Sequence, residues 1–326
     1  SAAAAATTVP APSPPPAAPA ARQAAPAAPQ AAPSETTATA PAPPEIATPK
    51  VRVYSVADVP FVSDFRRGRL EDYARAEDFK AMAINSRGWF AIAAQRINVA
   101  TARRAALEDC NALVAREVTV PRPFDHCMLY AVGNDVVWAF REPPMPPSPY
   151  VPAARLSPPV IFDAAAVPLI NEPARRNLAA HYAHQTRPRA LVLGHSRFEW
   201  WTPGDSESDA IRRTLQICGH ISGRPCIVYS VNENVVVRVP QLNSPTDVFT
   251  PQALNNLDAG QKAAVESYLV ANDWRAIAVA GNGRLGIVSG RASETAAAAD
   301  AISECTRAGG ADCVLTAVGP YLVAPR

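Results

Sequence analysis

Leu191-Val192-Leu193 runs straight into Gly194-His195-Ser196-Arg197-Phe198. A strand that delivers Gly-x-Ser is the setting of a nucleophile elbow, in which a sharp turn exposes the serine hydroxyl and a following helix donates a backbone N–H to the oxyanion. Such an elbow needs a small residue two places after the serine so that the helix can start. Phe198 stands there, and the residues after it read as a second strand, so Ser196 reads as part of a plain turn. His181 and His184 lie three apart in a segment read as helix, a spacing that brings two imidazoles to one face. No third ligand has a readable place beside them, and a solvated helix face is the simpler reading.

Phe198, Trp200 and Trp201 make an aromatic strand. Neighbouring residues on a strand face opposite sides, so one tryptophan is expected in the core and the other nearer solvent. An exposed Trp beside Arg197 and His195 could stack on a sugar or other ring, which makes Trp200, Trp201, Arg197 and His195 the candidate ligand-binding residues. Burial against a neighbouring part of the chain is the competing account of the same aromatics.

Six cysteines fall into three local pairs, Cys110 with Cys127, Cys218 with Cys226 and Cys305 with Cys313. Six allow fifteen connectivities in principle, but local pairs with none left over suit disulfides in an oxidising compartment. Metal ligation by Cys127 with His126, or by Cys218 with His220, lacks paired C-x2-C knuckles, and the third pair has no histidine near it. No metal and no cofactor is expected.

The elements that would position these residues repeat along the chain. Tyr73, Tyr182 and Tyr268 each precede a basic residue, Lys80, Arg189 and Arg275, by seven positions, and each basic residue opens an apolar strand. From the last residue of that strand to the first cysteine of the pair the separations are 26, 25 and 26. Between them, Ala102-x3-Ala106-x3-Cys110, Ala210-x3-Thr214-x3-Cys218 and Ala297-x3-Ala301-x3-Cys305 place small residues on one stripe of a helix that packs closely. Ser206 and Ser293 fit starts of the second and third of these helices. After the second cysteine come hairpins, such as Met128 to Val132, a turn at Gly133-Asn134-Asp135, then Val136-Val137-Trp138.

The fold expected is therefore α+β: three tandem copies of a helix-strand-strand-helix-strand-strand unit, each with one local disulfide. The units span 51–141, 160–240 and 241–326, joined by a Pro-rich connector at 142–159 and preceded by a disordered tail at 1–50. The connector, with Pro143, Pro144, Pro146, Pro147 and Pro149, reads as a stiff extended spacer, so that units two and three are expected to pack more tightly than one and two.

Composition bounds the partners. The first 50 residues hold 20 Ala and 13 Pro with no aromatic residue, and cannot build a core. The remainder is long enough for several small domains. A net charge of +2 is too small for the dense basic face that nucleic acid requires. No apolar run reaches the roughly 18 residues of a membrane span. The chain starts at Ser1 rather than Met, as a mature exported protein would after loss of its signal peptide and as a trimmed chain would too; with the paired cysteines, periplasmic or extracellular localisation is the expectation.

The pattern Lys80-Ala81-Met82-Ala83-Ile84 … Ala102-x3-Ala106-x3-Cys110 … Cys127-Met128-Leu129-Tyr130-Ala131-Val132, with its two echoes, resembles exported bacterial proteins built from an uncharacterised paired-Cys α/β domain, sometimes appended to caspase-like peptidases. The resemblance covers most of residues 55–326 and implies export and a paired-Cys fold, with no activity attached. Some similar sequences carry the label aminolevulinate synthase, which the residues do not support. A pyridoxal phosphate enzyme needs a Schiff-base lysine in a large domain. Lys80 only matches Arg189 and Arg275, Lys50 ends the tail, and Lys262 lies on a helix. The function classes left are a non-catalytic exported binding or scaffold protein of the bacterial envelope, with an envelope protein or glycan as partner, and an exported hydrolase using Ser196 or a His cluster.

With no aromatic residue and little apolar bulk beyond alanine, the tail has nothing to dock. Deleting residues 1–48 is expected to leave the thermal transition of the remainder within about a degree of that of the whole chain, as calorimetry would record. A drop of several degrees would mean that the tail packs on the body.

Overall fold

Alternation along short strands, and small residues on the helices that cover them, dictate the architecture. The computed structural model describes residues 52–119, 122, 124–139, 142–152 and 155–326. The tail at 1–50 lies outside the described residues. The chain order begins β1 (Arg52–Val53), α1 (Asp64–Arg75), β2 (Ala81–Ile84), β3 (Phe90–Ala93), α2 (Val99–Glu117), β4 (Met128–Val132) and β5 (Asp135–Val136). It continues with β6 (Val160–Ile161), α3 (Glu172–Ala180), β7 (Arg189–Leu193), β8 (Glu199–Pro203), α4 (Glu207–Ser222), β9 (Ile227–Val231) and β10 (Asn234–Val235). The last part is β11 (Asn243–Val248), α5 (Ala259–Val270), β12 (Ala276–Val279), β13 (Leu285–Val288), α6 (Glu294–Arg307), β14 (Val314–Val318) and β15 (Tyr321–Pro325).

These make three antiparallel five-stranded sheets, ordered β1-β5-β4-β2-β3, β6-β10-β9-β7-β8 and β11-β15-β14-β12-β13. The sequence reading had four strands per sheet. It lacks β1, β6 and β11, which pair with the last strand of their sheets. The first two are only two residues long, and β11 carries Pro245 beside a register shift, so none presents a period-2 apolar run.

Each sheet lies between two helices. Ala81 and Ala83 of β2 pack with Ala102, Ala106 and Cys110 of α2, while Met82 and Ile84 point the other way, into the cluster holding Leu70 and Tyr73 of α1. In the third sheet Ala276 and Ala278 meet Ala297, Ala301 and Cys305, and Ile277 meets Val265 and Tyr268. The small stripe lets the helix backbone approach the sheet. At Gly286 a Cβ would lie 1.9 Å from the carbonyl oxygen of Ala301, so only glycine fits under α6. α2, α4 and α6 are capped by the side chains of Asn98, Ser206 and Ser293, each accepting a backbone N–H of the first turn. From the C-terminal half of each helix a disulfide, Cys110–Cys127, Cys218–Cys226 or Cys305–Cys313, ties it to the start of the following strand. Cys110 lies two turns before the end of α2, whereas Cys218 and Cys305 lie in the last turns of α4 and α6. Closing loops of 17, 8 and 8 residues contributes about 2 to 3 kcal/mol each in the chain-entropy account.

The seven-residue spacing from tyrosine to basic residue has a physical cause. Lys80, Arg189 and Arg275 are all at least nine-tenths buried at the head of their strands. Each cation lies over the ring of its tyrosine, at 5.3, 5.2 and 5.2 Å from the centroids of Tyr73, Tyr182 and Tyr268. The same cations donate to carbonyls at the end of the preceding helix or turn: Lys80 Nζ to Ala76 at 2.8 Å, Arg189 to Gln185 and Ala183, Arg275 to Ala271. The tyrosine hydroxyls in turn donate to the hairpin carbonyls of Gly133 at 2.8 Å, Asn232 at 3.0 Å and Gly319 at 2.6 Å. Burial raises the pKa of all three phenols, so they remain protonated donors.

The proline connector does not hold the first two sheets apart. A single core cluster includes Phe61, Tyr130 and Trp138 with Leu191, Leu215 and Ile217, and extends to Val248 and Tyr321. Pro144 lies on α4, where a Cβ on Gly219 would come within 2.2 Å of its carbonyl oxygen. A proline segment presents flat apolar rings as well as stiffness, and here the rings pack.

At the junction before the third sheet, Glu294 is 5% exposed and its carboxylate accepts backbone N–H groups from Gln241, Leu242 and Asn243 and the side-chain amide of Asn243, at 2.7 to 3.2 Å. Burial opposes ionisation, but these donors outweigh it and hold the carboxyl below its usual range. Because the folded pKa is depressed, the stabilisation is full above the unfolded value of about 4.3 and is lost as pH falls through the folded value. Glu294→Gln is expected to cost about 1 to 3 kcal/mol at pH 7. In urea titrations between pH 7 and pH 3 the variant should show a shallower loss of stability than the parent. An equally steep acid limb in both proteins would contradict the assignment.

Candidate functional site

The residues singled out by the sequence converge on the turn between β7 and β8 and on β8 itself. Gly194 leads out of β7 pressed against the disulfide, where a Cβ would stand 2.9 Å from Cys218 Sγ and 3.0 Å from Cys226 Sγ. Its N–H donates to the carbonyl of Phe198 at 2.8 Å, which closes the turn. To fit this closure, Ser196 (φ 57°, ψ 38°) and Arg197 (φ 64°) both take left-handed conformations that residues with a side chain seldom adopt. Both are exposed. A strand follows rather than a helix, as Phe198 foretells.

His195 is 7% exposed and turns inward, with Nδ1 3.3 Å from Asp247 Oδ2 on β11. Its Nε2 is buried and has no hydrogen-bond partner among the described residues. The imidazole thus links the second sheet to the third, and among the described residues no hydrogen bond joins it to the Ser196 hydroxyl. His181 and His184 do not share a helix face. α3 ends at Ala180, His181 is its C-cap, and His184 closes a 3-10 turn, because the chain must bend there to seat Tyr182 under Arg189. No group of three or more metal-ligating side chains occurs among the described residues.

The two tryptophans separate as strand alternation requires. Trp200 is 9% exposed. Phe198 stacks beside it, with planes 12° apart and centroids 6.3 Å apart, and Phe124 from the first sheet meets it edge-on at 5.7 Å. Arg122 and Arg87, also from the first sheet, lie 5.2 and 5.8 Å from its ring centre. Arg87 is fixed by two hydrogen bonds to Asp125 at 2.6 and 2.7 Å, and Asp125, 1% exposed, also accepts the N–H of Arg122. Trp200 is therefore covered by the loop before β4. Trp201 faces the opposite side of the sheet, half-buried, 6.2 Å from the ring of Tyr182. Glu199 shares that side, and burial raises its pKa. Of the four candidate ligand-binding residues, Trp201 and Arg197 offer surface to a partner, whereas Trp200 and His195 are turned inward.

The sequence reading did not find the carboxylates that join the first two sheets. α1 has no side-chain cap of its own. Its first N–H groups are taken by α4 and the turn before it: Asp64 N donates to Asp209 Oδ1 at 3.2 Å and Phe65 N to Asp205 Oδ2 at 2.7 Å. Arg213 donates to the carbonyl oxygens of Phe61, Pro203 and Arg87. The only signal in the sequence was an acidic first turn on α4, which reads as ordinary dipole complementarity.

Comparison with protein-family models, with curated proteins and with solved structures gives no match.

Trp200→Ala removes the stack that seals the two sheets and is expected to cost about 3 to 5 kcal/mol. Trp201→Ala, which uncovers a half-exposed ring, should cost less than half of that. Urea denaturation of both variants checks the order, and equal losses would mean that Trp201 is as much a core residue as Trp200.

Proposed function

We propose that the protein is a non-catalytic binding or scaffold protein of the bacterial envelope, exported to the periplasm or cell surface and built from three tandem copies of one disulfide-bonded unit. Its partner is an envelope protein or glycan, met by the surface around Trp201 and Arg197. The observation that carries the reading is the same device in each sheet: one disulfide from the C-terminal half of the second helix to the start of the next strand, with one strand order throughout. Bridges of this kind persist in an oxidising compartment, and they stabilise small units that must survive outside the cell. No helix among the described residues is long and apolar enough to cross a membrane. A half-buried tryptophan on β8, four residues after an exposed arginine in the preceding turn, offers the stacking and charge that sugar or aromatic recognition uses.

Incubating the full chain with peptidoglycan sacculi and with an envelope extract tests this. Trp201→Ala is expected to weaken retention by roughly 5- to 100-fold, the loss of one interface anchor, with the variant still cooperatively folded at the assay temperature. Esterase and amidase substrates are assayed in parallel with Ser196→Ala. Turnover that vanishes in Ser196→Ala would replace the binding reading with the hydrolase one.

A further inference from the structure

The connector does more than pack on α4. Pro146, Pro147, Pro149 and Tyr150 roof a cavity of about 80 Å³ between the second and third sheets, floored by Phe249 and Leu269 among others. A site needs only about 10 to 15 Å³ on this measure to hold one water, so there is room for a small organic molecule. The lining is mostly apolar, with Thr250 and Arg275 its hydrogen-bonding side chains of interest.

Both of those residues are buried, at 3% and 5% exposure. Among the described residues Thr250 Oγ1 has no partner, even though Thr250 is the N-cap of the 3-10 turn Pro251–Ala253, where a threonine hydroxyl ordinarily accepts a backbone N–H. Arg275 uses its terminal nitrogen on the carbonyl of Ala271, while Nε makes no hydrogen bond. Its ion-pair partner Asp273 stands 3.5 Å from Nε, and the facing Oδ1 is likewise unbonded. The Thr250 hydroxyl, a donor left without an acceptor in an apolar enclosure, is costly unless an acceptor enters, and the Arg275 guanidinium puts a cation on the same lining.

We propose that this cavity is a binding site for a small monocarboxylate, its carboxylate accepting from Thr250 Oγ1 on the lining shared with the Arg275 guanidinium and its short apolar chain lying between the proline roof and Phe249 and Leu269. The site is separate from the Trp201 face, and either can exist without the other.

Butyrate and butylammonium, equal in chain length and opposite in charge, are titrated into the full chain by calorimetry and by chemical-shift perturbation. Butyrate is expected to bind saturably, with butylammonium inert. Thr250→Val, which keeps the shape and removes the hydroxyl, should raise the butyrate Kd about tenfold or more. If Thr250→Val does not fold, Leu269→Phe, which fills the cavity from α5, must abolish binding. The proposal is overturned if butyrate does not saturate, if both probes act alike, or if butyrate binds the folded variant as it binds the parent. A crystal soaked in butyrate that shows only water between Thr250 and Arg275 would overturn it as well.

Discussion

A buried cation at the head of the strand after the first helix is the constraint around which each sheet is arranged. A lysine or arginine removed from water must find acceptors, and a charge left without them costs several kcal/mol. Lys80, Arg189 and Arg275 find them in the carbonyls at the end of the preceding helix or turn and in the face of a tyrosine ring. That arrangement fixes where the helix stops and how the chain enters the sheet. The tyrosine hydroxyl then reaches the turn of the last hairpin, so that one pair of residues ties together the first helix, a central strand and the two strands at the far side. A shift of one residue between tyrosine and base would break all three ties, which accounts for the constant spacing of seven.

The disulfides act on the opposite face. There the contacts are between alanines and small residues, which bury little area each, and the helix is held by proximity more than by bulk. A covalent link from the C-terminal half of that helix secures a layer whose apolar surface is thin. The two faces of each sheet thus rest on different physics: a polar clasp with large side chains on one, and close backbone approach with a covalent bond on the other.

Much of this was legible in the sequence because it is local. The cysteine pairing, the tyrosine-to-base spacing, the alanine stripe and the helix starts at Ser206 and Ser293 all lie within one stretch of chain and leave a periodic trace. What was not legible depends on long-range neighbours. β1 and β6 become strands only because the last hairpin of their sheets offers an edge, and two residues carry no period. His181 looked helical by spacing, but the need to place Tyr182 beneath Arg189 ends α3 at Ala180. Trp200 looked like a candidate for a ligand because its cover, Phe124 with Arg122 and Arg87, comes from more than 70 residues earlier. The unused hydroxyl of Thr250 could not be noticed at all without seeing the connector fold over it.

The differences among the three sheets now have a common reason. At the strand after the first turn, the first sheet carries Trp89, covered by Arg66 at 3.6 Å from its ring centre. The second carries Phe198 and Trp200, covered by the loop of the first sheet. In the third, Gly286 lets α6 settle directly on β13. The side chain at this edge is therefore matched to whatever lies over it: an arginine, another sheet or the sheet's own helix. Aromatic content alone consequently says little about ligand binding here, since it tracks the assembly of the body. A functional surface must be sought where a costly group is left without such a match. Among the described residues that criterion picks out the hydroxyl of Thr250 beneath the proline roof, along with Nε2 of His195 and the indole N–H of Trp200, while Trp201 stands apart as a half-covered ring.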